Sequence, residues 1–263
     1  MTIERIGNQL QQIDISDKAT VTNAVAKDTL STQYTLASTE TLLDVFAHHG
    51  WNPVAYRETR TRTDDLVGKQ KHTIVLANDR LNTELVTTST LPRIMIKNSH
   101  DGTSALQILS GLFEKICANG LIVGASAADI RLRHVDLTDD KISQGAHQCL
   151  ISLVRALETS ERMKSITLDR DEQLYLAGQA IPLIYSDEYI VRPEHLLNNY
   201  RRDQQAPTLW NTFNTIQEHA IRGGIRQYRA DGSRIKSRAV NNIDRSIKIN
   251  QGIWDIAEAR MVA

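Results

Sequence analysis

Cysteine, aromatic side chains and net charge are all scarce in this chain. Its 263 residues include two cysteines, Cys117 and Cys149. That count suits a reducing compartment and excludes a disulfide-dense scaffold and a four-cysteine zinc site. Three Trp, seven Tyr and three Phe are too few for a surface that binds by stacking many bases. Five prolines and 13 glycines exclude collagen-like and Pro/Gly-rich disordered classes. No apolar run approaches the roughly 18 residues that span a bilayer. The opening MTIERIGNQLQQ lacks an apolar signal core. A cytoplasmic protein with no membrane partner is the expectation.

What is present reads as a globular chain. Hydrophobic residues make up 41% and charged ones 24%, enough for a full core. Residues 1–29, rich in Gln, Thr and Asp, read as a partly ordered arm, and 30–263 as one α+β domain. Within it, 30–135 is expected to form a sheet-plus-helix core and 136–263 a helical C-terminal part. Leu42, Leu43, Val45 and Phe46 predict a short helix over 38–49, capped by Ser38 or Thr39 and stopped by Gly50. Val54–Arg62, Lys71–Asn78 and Leu91–Lys97 read as three strands of an antiparallel meander.

After the Asn98–Gly102 turn, Ser104 and Gln107 have capping-box spacing. Leu109, Leu112, Phe113, Ile116 and Cys117 then predict a helix closed by Asn119-Gly120. Further helices are expected over 147–157, over 171–180 with Pro182 ending it, and from Pro193. A longer one starts at Pro207, with Trp210, Phe213 and Ile216 on one face, and a last one covers 239–261.

The zero net charge is unevenly distributed. Between Arg222 and Lys248 stand eight cations, Arg222, Arg226, Arg229, Arg234, Lys236, Arg238, Arg245 and Lys248, against only Asp231 and Asp244. The segment carries +6 and the remainder −6. Such a stretch, loosened by Gly223, Gly224 and Gly232, either follows a phosphate backbone or pairs with acidic neighbours or another subunit. Tyr228 among these charges is placed to stack on a base. A second cluster, Arg57, Arg60, Arg62, Lys69, Lys71, Arg93 and Lys97, lies in the meander. Period-two alternation puts Arg60 and Arg62 on one face and Arg57 on the other.

Catalytic signals are weak. His100-Asp101 could ligate a metal or act as a general base, but adjacent residues in a tight turn point apart. His147 and Cys149 fall on different faces of a helix, which argues against a metal site with Cys117. Asp136, Asp139 and Asp140 read as an exposed helix start rather than a divalent-ion site. No phosphate loop, dinucleotide fingerprint, nucleophile elbow or zinc-protease motif occurs. No catalytic residue, metal or cofactor is assigned.

Two resemblances add to this reading. Asn98-Ser-His-Asp-Gly-Thr-Ser-Ala105 and Cys117-Ala-Asn-Gly-Leu-Ile-Val123 resemble the family known as domain of unknown function 932, which contains phage- and plasmid-like proteins. Leu30-Ser-Thr-Gln-Tyr34, Thr208-Leu-Trp-Asn-Thr-Phe-Asn214, Ser237-Arg238 and Asn250-Gln-Gly-Ile-Trp254 extend the likeness from about Leu30 to Met261. The order helix, Gly50-Trp51, three strands, helix is also similar to the core of single-strand annealing recombinases. That second resemblance implies a homo-oligomer, ring or filament, with single-stranded DNA in a groove beside a β-β-β-α core. Arg60, Arg62, Lys69, Lys71, Arg93 and Lys97 would then contact the backbone, with Arg222, Arg226, Arg229, Arg234, Lys236 and Arg238 completing the groove or a subunit seam. The resulting expectation is a non-enzymatic phage or plasmid protein that anneals single-stranded DNA in the bacterial cytoplasm. The alternatives are a metal-dependent nucleic-acid enzyme using His100 and Asp101, and a structural or anti-defence oligomer that binds protein.

Overall fold

Alternating apolar residues build a five-stranded antiparallel sheet, the largest element of the computed structural model. The structure describes residues 5–6, 9–10, 12–23, 25–84, 90–114, 129–135, 137–198 and 206–262. They divide into two compact units: Met1–Ile116 with Ala127–Val154, and Cys117–Ser126 with Arg155–Ala263.

In the first unit, β1 (Arg5–Ile6) and β2 (Gln9–Leu10) form a short hairpin, followed by α1 (Ala19–Thr22) and α2 (Thr39–His48). Ser38 caps α2 by accepting a hydrogen bond from the Thr41 backbone N–H at 3.3 Å. Then come β3 (Trp51–Glu58), β4 (His72–Asn78), α3 (Asp79–Glu84), β5 (Thr90–Asn98), β6 (Leu106–Glu114) and β7 (Asp129–Leu132). The strands lie in chain order, so each pairs with its sequence neighbours.

Cross-strand registry places Tyr56, Ile74, Ile96, Ile108 and Ile130 in one row across all five strands. Ile74, Ile96 and Ile108 are fully buried there. They pack with Leu42 and Phe46 of α2 and with Ile142, Ala146, Cys149 and Leu153 of α4 (Asp139–Ser165). The N-terminal segment joins the same core through Ile15 and Val21. Each such side chain, fully removed from water, contributes roughly 1.5–3 kcal/mol.

The α+β class, the meander and the largely helical C-terminal part match the sequence reading. The helix expected over 104–119 does not form over Leu106–Glu114, which is β6, paired to β5 from Gln107 to Glu114. Ser104 and Gln107 are not a capping box. The Ser104 hydroxyl donates to the Ala105 carbonyl, and the Gln107 amide donates to Asp129. The remainder of the expected helix, with Cys117, lies outside the described residues. The helix–strand–strand–strand–helix order shared with annealing recombinases is therefore replaced by a fourth strand and a fifth.

The second unit contains the end of α4, then α5 (Arg170–Ile184), a 3-10 turn (Pro193–Leu197), α6 (Leu209–Arg222), a hairpin of β8 (Arg226–Tyr228) and β9 (Arg234–Lys236), and α7 (Ile243–Val262). Asp169 and Glu172 form a reciprocal capping box on α5. Pro182, expected to end that helix, sits inside its last turn, where its missing N–H removes only one intrahelical bond. Trp210 and Phe213 of α6 pack with Trp254 of α7, whose ring meets both nearly edge-on.

Candidate nucleic-acid interface

The basic segment folds into a small antiparallel sheet. Gly223 ends α6 at φ +70°, and the Gly224 N–H donates to the Ser237 carbonyl at 2.8 Å, which draws the two ends of the hairpin together. At the tip, Gly232 takes φ +79°, its N–H donates to the Arg229 carbonyl, and the Asp231 carboxylate accepts from the Ser233 N–H. Ser233, through its side chain and then its N–H, holds the Asp231 carboxyl below the usual range, with a smaller contribution from Arg229. On the other edge of β8, Ile190 and Tyr228 exchange backbone hydrogen bonds of 2.8 and 3.0 Å. Ile190 thus bridges the edge of β8 that faces away from β9.

Registry then sorts the side chains. Arg226 stands opposite Lys236, and Tyr228 opposite Arg234. Because strand faces alternate, all four share one face, while Gln227 and Ile235 occupy the other. Arg226, Arg234 and Lys236 are exposed, Tyr228 is half-buried and Gln227 is buried. Arg229 and Arg238, both exposed, flank this face at the tip and the base of the hairpin. Arg192 lies with its guanidinium carbon 5.9 Å from the Tyr228 ring centroid, and Arg234 with its own at 6.0 Å. The His195 ring lies 6.3 Å away at 29°, its Nδ1 donating to the Arg226 carbonyl.

Among the described residues, none of Arg192, Arg226, Arg234, Lys236 and Arg238 has an ion-pair partner. Arg222 differs. It is paired with Glu218 one turn earlier on α6. Two cations set opposite each other across a hairpin repel, and a bound anion would relieve that.

The meander cations are placed differently. Arg60 and Arg62 are exposed in the loop after β3, and Lys69 and Lys71 are half-buried before β4. Arg93 is 1% exposed and donates from Nη1 to the Pro92 carbonyl, with burial pushing its guanidinium down to about 10. Lys97 is also buried. Neither offers its charge to the surface. A cavity of 590 Å³ in the first unit is rimmed by Asp14, Glu40 and Asp44, the wrong sign for phosphate.

His100, the centre of the most enzyme-like motif, has no solvent exposure. Its Nε2–H donates to the Thr20 carbonyl at 3.0 Å and approaches Thr39 Oγ1 at 3.3 Å. The Thr39 hydroxyl donates to His72 Nε2 at 2.9 Å and accepts from the Asn98 amide at 3.1 Å. His72 Nδ1–H donates to the Gln70 carbonyl, and the Gln70 amide to Glu58. Glu58 also accepts from Tyr56, whose hydroxyl accepts from Thr20. These bonds run in a closed circuit from Thr20 back to Thr20.

Burial lowers the proton affinity of His72 to a pKa of about 4, and pushes His100 and His134 in the same direction. Asp101 points elsewhere, accepting from the Thr103 N–H and hydroxyl. Among the described residues, no group of three His, Cys, Asp or Glu side chains is arranged to hold a metal ion. His147 is exposed and Cys149 fully buried on opposite sides of α4. Asp136 is outside the described residues.

Arg192 and His195 were not anticipated from the sequence. Their approach to Tyr228 depends on the pairing of Ile190 with a strand 38 residues later, for which no local pattern exists.

No solved structure matches this chain. Two proteins of Escherichia coli (strain K12) are similar along most of their length. UPF0380 protein YafZ is 34% identical over 230 residues, covering 87% of this chain and 83% of that protein. UPF0380 protein YfjQ is 32% identical over 229 residues, covering 87% and 82%. The pattern of the family described as domain of unknown function (DUF932) matches residues 27–254, a span that includes His100 and the β8–β9 hairpin, and the chain belongs to that family.

Proposed function

We propose that this protein binds single-stranded nucleic acid, DNA in the first instance, by its phosphates at the β8–β9 face. The observation that carries the reading is the grouping of Arg226, Arg234 and Lys236 on one exposed face, without ion-pair partners among the described residues. Arg192 adds a fourth cation beside them. A flexible strand can bend to meet four cations in so small an area, whereas a stiff duplex presents its phosphates in a fixed groove geometry.

Acting as a homo-oligomer, such faces would hold strands by their backbones and present bases for pairing, which is annealing without catalysis. The setting we propose is a phage or plasmid genome in the bacterial cytoplasm. The electrostatic mechanism makes a quantitative claim. Four neutralised phosphates give a slope of about −3 in log K against log salt for a single strand.

The test is fluorescence anisotropy of a labelled 30-nucleotide DNA with the full chain, between 25 and 200 mM salt. Binding with that slope, abolished by Arg226→Glu with Lys236→Glu, supports the reading. Absence of binding at the lowest salt overturns it. Native mass and a complementary-strand annealing assay on the same sample test assembly and strand pairing.

A further inference from the structure

We infer that Tyr228 is not a base platform but a spacer that positions two arginines, so that the hairpin takes any polyphosphodiester whether or not it carries bases. This rests on the phosphate-binding reading above and makes it more specific.

The reason lies in what flanks β8 on its two edges, β9 on one and the Ile190 bridge on the other. Tyr228 is on β8, Arg234 reaches its ring from β9 on one side, and Arg192 comes from the segment beyond Ile190 on the other. Both guanidinium carbons lie over the ring at the outer edge of cation–π range, 6.0 and 5.9 Å from its centroid, and His195 also stacks against it. A base stacks only on an open aromatic face. Here the ring is already flanked from both edges of its strand, and it is half-buried.

The ring has a second role. Its negative π-faces attract both guanidinium groups, which would otherwise repel each other across the same small surface. The aromatic side chain therefore lets two unpaired cations stand close together with their N–H groups free for phosphate oxygens. Arg226 and Lys236 extend the cationic row along the same face. Every donor in this arrangement suits a phosphate, and nothing in it is shaped to read a base edge.

The experiment compares two labelled 30-mers at 50 mM salt with the full chain: oligothymidylate, and an oligomer of tetrahydrofuran abasic residues with the same number of phosphates. The inference expects the two to bind within threefold of each other, with the same salt slope. In Tyr228→Ala, affinity for both falls by the same factor, and the slope shrinks by about 1.4 as Arg192 and Arg234 lose their position. Abasic binding more than tenfold weaker, with the gap closed in Tyr228→Ala, assigns Tyr228 to base stacking and overturns the inference. An unchanged slope in that variant also overturns it. The wild-type comparison stands even where the variant is unstable. If neither oligomer binds wild type, the underlying phosphate reading fails, a result distinct from unequal binding.

Discussion

Arg226 and Lys236 stand directly opposite each other across the β8–β9 hairpin, two cations on one exposed face with no carboxylate paired to either among the described residues. Like charges in this position destabilise a hairpin by roughly 0.2–1 kcal/mol. Lys236→Glu turns repulsion into attraction, so thermal stability should rise while affinity for single-stranded DNA falls. Differential scanning fluorimetry and anisotropy on one preparation check the opposite signs. A loss of both would mean that Lys236 serves the fold and not a ligand.

The hairpin's base and tip differ in how strongly they require glycine. A Cβ on Gly223, at φ +70°, would lie 2.5 Å from the Arg238 carbonyl carbon, whereas one on Gly232, at φ +79°, meets nothing within 4 Å. Gly232→Ala should therefore cost only the backbone penalty, about 1–2 kcal/mol. Gly223→Ala adds a backbone clash and should cost several times more, detaching the hairpin and its cations. Urea midpoints of the two variants settle this, and equal losses would contradict it.

The histidine circuit predicts acid lability. Unfolded, His72 would take a proton near pH 6.5, but in the folded protein burial delays this to about 4. The unfolded chain thus binds more protons between these values. The contribution of His72 is fully present above about pH 6.5 and lost as pH falls through the window towards 4, reaching about 3 kcal/mol. His100 and His134 shift in the same direction and steepen the loss. Urea unfolding at pH 7.5, 6.0 and 4.5 measures it; a flat profile would show that the three rings are not buried together.

Cys149 has no exposure, and burial pushes its thiol up to about 12. In a Cys117→Ser background, native protein should react with a thiol reagent at less than a hundredth of the rate in urea. Ile108→Ala, beside it in the core, should cost roughly 2–5 kcal/mol.

Much of this fold was legible because its elements obey local rules. Ser38 caps α2 as its side chain predicts, and Trp210, Phe213 and Ile216 are buried on α6. The strand β6 was misread because both its faces are covered. Leu106, Ile108, Ser110 and Leu112 on one face, and Gln107 and Leu109 on the other, are all at most 2% exposed. Such a run loses the alternation that distinguishes strand from helix. The same double burial encloses Arg93 and Lys97, which alternate with Ile94 and Ile96 on β5. Charge density pointed to the β8–β9 hairpin. Its grouping around Tyr228 required registry, which composition does not carry.

The hydrogen-bond circuit through Thr20, His100, Thr39, His72, Gln70, Glu58 and Tyr56 has no free end. Opening one of its buried bonds, those among Thr20, His100, Thr39 and His72, leaves a donor or acceptor unsatisfied inside the protein. The N-terminal segment is consequently latched rather than merely packed: it is held completely or released as a unit. Proteolysis near Thr20 should proceed in a single all-or-none phase, at a rate set by the ionisation of histidines that lie 52 and 80 residues further along the chain.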